Sequence, residues 1–136
     1  MKQKRKSHKT RITVMADYCA DGLWINGRAT DYDSLPLPKG NLNLKKRLEK
    51  WQWDYECFYQ LESKRFEVDR LNNSKKFKDF ILEGYLIAIE IRKALNKTKY
   101  YVEYFNDYLI KRIPINNKKQ KINLFDKNEY FKIRYL

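Results

Sequence analysis

The sequence predicts an α+β domain in which two amphipathic helices pack on one face of a roughly four-stranded sheet, in the order β-α-α-β-β-β. Two long segments in the middle of the chain carry apolar residues at helical spacing, while β-branched and aromatic residues alternate with polar ones near both ends. The 136 residues suit one domain with a core large enough to need no staples, and 43% apolar with 15% aromatic residues sets the chain apart from disordered sequences. The expected organisation is a flexible basic arm over residues 1–10 and a single domain over 11–136.

Each element has its own warrant. In "RITVMADY", Ile12 and Val14 alternate with Arg11, Thr13 and Met15, which reads as a strand. The stretch "MADYCADGLWINGRATDYDSLPLP", residues 15–38, reads as a loop turned by Gly22 and Gly27 and closed by Pro36 and Pro38. A first helix follows in "NLKKRLEKWQWDYECFYQLES", where Leu44, Leu48, Trp51, Tyr55 and Phe58 share one face, with Asn41 or Asn43 as cap and Trp53 off the stripe. "RFEVDRLNNSKK" reads as a connector whose Ser74 caps the second helix, "KKFKDFILEGYLIAIEIRKALN".

In that second helix Phe77, Ile81, Gly84, Ala88, Ile91 and Leu95 form the buried stripe. A mid-helix glycine costs about 1 kcal/mol relative to alanine, so Gly84 on this stripe predicts close approach of a neighbouring backbone. Asn96 suits the helix end. A strand is expected over about 99–105, beside the first strand and joined to it through the helical crossover. "NNKKQK" reads as a loop, and "KINLFD" and "EYFKIRYL" as two strands around a "DKNE" turn.

Charge narrows the function. The chain carries +13 in total, but residues 1–11 hold +6, residues 97–136 another +6, and the long centre only +1. Against that background residues 15–38 hold Asp17, Asp21, Asp31 and Asp33 with Arg28 as the lone base, a local −3. Asp17, Asp31 and Asp33 are the carboxylates an enzyme could use. However, the folded part has no histidine, no GxSxG and no phosphate-binding glycine-lysine loop, so no catalytic residue, metal site or cofactor is expected. Cys19 and Cys57 read as ordinary thiols. No apolar run reaches the roughly 20 residues of a membrane span, and the short apolar run after the basic start does not make a signal peptide, so a cytoplasmic protein is expected.

Two binding functions remain. One is docking to a protein through Asp17, Tyr18, Asp21, Trp24, Asp31, Tyr32 and Asp33, since aromatic rings beside charges on an irregular loop suit an interface. The other is RNA binding, in which lysine- and tyrosine-rich strands and a basic patch at Lys111, Arg112, Lys118, Lys119 and Lys121 meet phosphates and bases. Between these, the acidic loop reads as a docking element rather than a reaction site.

A resemblance favours the first. "ITVMADYCADGLW", "DYDSLPLP", "LKKRLEKWQWDYE" and "FILEGYLIAIEIRKAL" before "YYVEYF" together cover about residues 12 to 105. This order is similar to immunity proteins of contact-dependent growth inhibition and related polymorphic toxin systems. The positions that match are Asp17, Tyr18, Gly22, Leu23, Trp24, Leu35 and Pro36. The resemblance implies a non-enzymatic cytoplasmic antitoxin that binds the C-terminal toxin domain of a secreted effector delivered by a sibling cell, often a nuclease attacking tRNA, and blocks its active site. Immunity proteins that plug basic nucleases are commonly acidic, and this chain is basic. Either the toxin is acidic, or the acidic loop alone makes the contact while the basic ends face elsewhere, since field complementarity depends on the patch that faces the partner.

Overall fold

The computed structural model describes residues 8–39, 42–62, 75–107, 110–116 and 124–125. Among the described residues, seven strands and α-helices follow one another: β1 (Thr10–Val14), β2 (Leu23–Ile25), β3 (Arg28–Thr30), α1 (Leu42–Glu62), α2 (Lys75–Ala94), β4 (Tyr100–Asn106) and β5 (Lys111–Ile115). The fold is α+β with two helices, as the sequence predicts, but the sheet has five strands, ordered β3-β2-β1-β4-β5. β1 and β4 are parallel neighbours at its centre, in register from Thr10↔Tyr100 to Val14↔Tyr104, and the two helices form the crossover between them. All other pairings are antiparallel.

The additional strands come from two places. Within the stretch expected to be a loop, β2 and β3 form a hairpin about Asn26 and Gly27, whose φ values of +49° and +84° suit a tight two-residue turn. β5 follows β4 and carries Pro114, tolerated on a strand that is outermost among those described. Residues 1–7 of the basic arm, the caps at Asn41 and Ser74, the side chain of Phe58, the connector from residue 63, the turn at "DKNE" and the strand expected in "EYFKIRYL" lie outside the described residues, while Thr10, expected in the arm, already belongs to β1. Of "KINLFD", residues 124 and 125 form a bend rather than a strand.

Alternation on the strands sends Ile12, Val14, Leu23, Val102, Tyr104, Ile113 and Ile115 into one core with Leu44, Leu48 and Trp51 of α1 and the predicted stripe of α2. The tightest point is Gly84. A Cβ there would lie 2.6 Å from Trp51 Cζ2 and 2.7 Å from Tyr104 Cε1, so the approach is made by two rings rather than by a backbone. Trp51 Nε1 donates to the Phe80 carbonyl at 2.9 Å, and the Tyr104 hydroxyl donates to the Ile81 carbonyl at 2.8 Å. Both rings are thus pinned to the same turn of α2.

The face of the sheet opposite the core carries the row Trp24, Thr13, Glu103 and Pro114. Glu103 is only 4% exposed there. It accepts from the Thr13 hydroxyl at 2.7 Å and from Arg112 at 2.6 Å, with Arg11 Nε 3.8 Å away. A carboxylate with so little water access is held by charge-assisted bonds from its neighbours on β1 and β5.

Candidate docking surface

The stretch from Met15 to Lys39 resolves into separate jobs. Tyr32 is in the core, 3% exposed, with its hydroxyl donating to the Pro38 carbonyl at 2.8 Å, so this predicted docking residue pins the loop from inside. Asp31 caps a short 3₁₀ turn over Tyr32–Ser34 by accepting from the Ser34 amide at 2.8 Å. That bond holds its carboxyl below the usual range. Asp33 is exposed but paired with Lys45 at 2.7 Å. Trp24 is half-buried on the outer sheet face, and its indole N–H donates to the Met15 carbonyl at 2.9 Å. A tryptophan whose one polar atom is already satisfied has apolar ring area, not a hydrogen bond, to offer a partner.

Asp17, Tyr18 and Asp21 remain outward. Asp17 opens a turn in which the Ala20 amide donates to its carbonyl and the Tyr18 amide donates to its own Oδ1, and Cys19 takes a positive φ of 60°. The turn is held from α1 by Gln52, a buried amide that accepts from the Asp17 N–H at 3.3 Å and donates to the Asp17 carbonyl at 2.6 Å. Gln52 satisfies both backbone groups of Asp17, as a neighbouring strand would. Gly22 lets α1 approach, with Leu48 Cδ1 3.1 Å from the position of a Cβ. Tyr18 stands out of this fixed turn with 53% of its surface exposed.

The parallel pairing of β1 and β4 then adds residues that sequence reasoning missed. Both strands end at the same edge, so Asp107 arrives beside Asp17. Burial, and secondarily the charge of Asp17, pushes the Asp107 carboxyl up to about 7, and its Oδ2 has no hydrogen-bond partner among the described residues. Gln52 Nε2 also reaches Glu56 Oε2 at 3.2 Å, which draws a fourth carboxyl to this edge. Ile110 follows in the turn from β4 to β5, 69% exposed and at a φ of +54° that a β-branched residue rarely adopts. The result is an acidic corner of Asp17, Glu56 and Asp107, with Asp21 exposed in the same loop as Asp17, Tyr18 and Ile110 exposed in the turns that follow β1 and β4, and Lys111 paired with Asn106 at the start of β5.

The basic-patch residues are divided as well. Arg112 is engaged with Glu103, Lys111 is exposed on β5, and Lys118, Lys119 and Lys121 lie outside the described residues. A groove of about 690 Å³ runs between α1 and α2, but its charged lining is largely self-neutralising, with Arg47 bonded to Glu83 and Lys50 to Asp54. Among the described residues no three histidine, cysteine, aspartate or glutamate side chains gather so as to hold a metal ion, and no helix is long and apolar enough to cross a membrane.

The family described as Serratia CdiI immunity protein-like matches this chain over residues 10–107. The match runs from the first residue of β1 to Asp107, and so contains both halves of the acidic corner and the two-helix crossover that brings them together. No curated protein matches the chain. Covering about seven-tenths of the sequence, the family match agrees with the motif order read from the residues, and the chain belongs to the Serratia CdiI immunity protein-like family of contact-dependent growth inhibition.

Proposed function

We propose that this immunity protein works by binding alone: it docks on the C-terminal toxin domain of a secreted effector in the cytoplasm of the producing cell and covers the active site of a nuclease. The observation that carries the reading is the acidic corner on a chain of charge +13. A nuclease cleft must be cationic to hold phosphates, and Asp17, Asp21 and Glu56 offer it carboxylates while Tyr18 and Ile110 supply apolar area at the rim. Asp107, near its midpoint at neutral pH, adds further negative charge as a cationic group approaches. Asp31 and Tyr32 serve by shaping the loop, and Asp33 and Trp24 lie at its margins.

The test is a mixing experiment with the toxin domain encoded beside this chain. Wild-type protein should co-purify with it one-to-one and stop RNA or DNA cleavage. Asp17→Lys combined with Asp21→Lys should weaken the complex by about 3 kcal/mol, on the order of a hundredfold, with an unchanged circular dichroism spectrum. Undiminished affinity in that folded variant would move the interface elsewhere on the protein.

Ile110 gives a second, opposite signature. Ile110→Gly relieves a left-handed backbone and should raise unfolding stability by about 1 kcal/mol. The same change removes the exposed side chain and should weaken toxin binding. Denaturant melts and titration calorimetry on one protein sample read both effects, and stability and affinity moving in the same direction would refute the docking role.

A further inference from the structure

The opposite end of the central strand pair carries the reverse charge. Where β1 and β4 begin, a cavity of about 360 Å³ is lined by Lys9, Arg92 and Lys97, with Tyr100, Tyr101 and Pro114 as flat walls and no acidic residue. β1 is five residues long, so this cavity lies about 15 Å from the acidic corner.

Arg92 is its unusual member. It projects from the last turn of α2 and is only 5% exposed, yet it forms no ion pair among the described residues. Its two terminal nitrogens donate to the carbonyls of Tyr100 at 2.7 Å and Leu95 at 3.1 Å, and its Nε–H has no acceptor among the described residues. Burial pushes the guanidinium below its ordinary pKa, the direction expected for a cation without a counter-charge. An unsatisfied buried donor is costly, and a charged one more so, so such a group calls for a partner from outside the fold.

The two lysines are placed by rigid features. Lys9 immediately precedes β1, whose first amide, that of Thr10, donates to the Lys99 carbonyl at 2.8 Å. Lys97 sits in a turn fixed by Asn96, whose Oδ1 accepts from the Thr98 amide at 2.8 Å and from its hydroxyl at 2.6 Å. Neither lysine forms an ion pair among the described residues.

We propose that this cavity is a phosphate-binding site, in which Arg92 is the fixed buried charge, Lys9 and Lys97 close on the phosphate oxygens, and Tyr100 and Tyr101 flank the group that carries the phosphate. Three cations without an acid suit a phosphate better than a single carboxylate, and aromatic walls suit a nucleotide, free or at the end of a strand. The site is separate from the toxin-docking corner and stands or falls independently of it.

The experiment is an NMR titration of the full-length, ¹⁵N-labelled protein, reading the Arg92 Nε–H and Lys97 amide resonances. Inorganic phosphate, adenosine monophosphate and a short single-stranded RNA with or without a 5′-phosphate are the probes, with acetate at matched ionic strength as control. Saturable shifts with phosphate and adenosine monophosphate are expected, and Lys9→Gln with Lys97→Gln, two changes that leave the core untouched, should weaken them about tenfold or more. Equal response to phosphate and to the nucleotide identifies the ion itself as ligand. A stronger response to the nucleotide or to 5′-phosphorylated RNA identifies a nucleotide source. Shifts that match acetate, affinity unchanged in the double variant, or RNA binding that leaves the Arg92 resonance in place would each overturn the assignment.

Discussion

Gly84→Ala is expected to destabilise the protein by about 3 kcal/mol or more, although the same change on an exposed helix face would stabilise it by about 1 kcal/mol. The reason is geometric. The new methyl would lie 2.6 Å from Trp51 and 2.7 Å from Tyr104, and neither ring can retreat, because each is hydrogen-bonded to a carbonyl of the helix that carries the glycine. Trp51 is held further by stacking on Phe80, with ring centroids 5.1 Å apart. Urea denaturation of the variant measures the effect. Trp51→Phe in the Gly84→Ala background should recover part of the loss, since the smaller ring makes room, whereas Trp51→Phe alone should be destabilising. A Gly84→Ala protein as stable as the parent would mean that the helices slide apart at little cost.

The second large effect is a dependence on pH set by Asp107. In the folded chain its carboxyl is pushed up to about 7, whereas an unfolded aspartate titrates near 3.9. Between those values the folded protein holds a proton that the unfolded chain has lost. Stability from this group is therefore fully present below about pH 4 and is lost as pH rises through about 7. The full shift corresponds to about 4 kcal/mol as an upper figure. Asp107→Asn should thus raise stability by about 2–4 kcal/mol at pH 8, change it little at pH 4, and flatten the slope between. Chemical denaturation at a series of pH values checks this, and an unchanged slope in the variant would show that other groups govern it.

The helices were legible because each buries a stripe: Leu44, Leu48 and Trp51 on the first and six positions from Phe77 to Leu95 on the second are buried as the period demands. The pairing of the first strand with the one near residue 100 also followed from the helical crossover. The hairpin of β2 and β3 escaped because three-residue strands show too little alternation. The dipeptide Asn26-Gly27 is the local signal for this hairpin, but without longer flanking strands it looks the same as a turn within an irregular loop. β5 gives little signal of its own, because its five residues include Pro114, which a strand accommodates only where it is outermost.

The acidic corner was half legible. Asp17, Tyr18 and Asp21 stood out by charge against a basic chain, but composition treats Asp31, Tyr32 and Asp33 as equals of these. Only coordinates separate a cap, a buried ring and an ion pair from an outward carboxylate. Glu56 and Asp107 lie tens of residues from Asp17 and join it through Gln52 and through the parallel strand pair, contacts that no local pattern encodes.

The central strand pair has a consequence for how the molecule comes into being. Thr10 must find Tyr100 across 90 residues of chain, so the middle of the sheet cannot close until most of the polypeptide exists. Closing so long a loop is costly in entropy, and non-local topologies of this kind assemble slowly compared with helices, which form in microseconds or less. During translation the first strand can pair with the second at once, but its other edge stays bare while everything up to the fourth is made. A newly synthesised copy gains its acidic corner only in the last stage of assembly, and protection at any moment rests on molecules finished earlier.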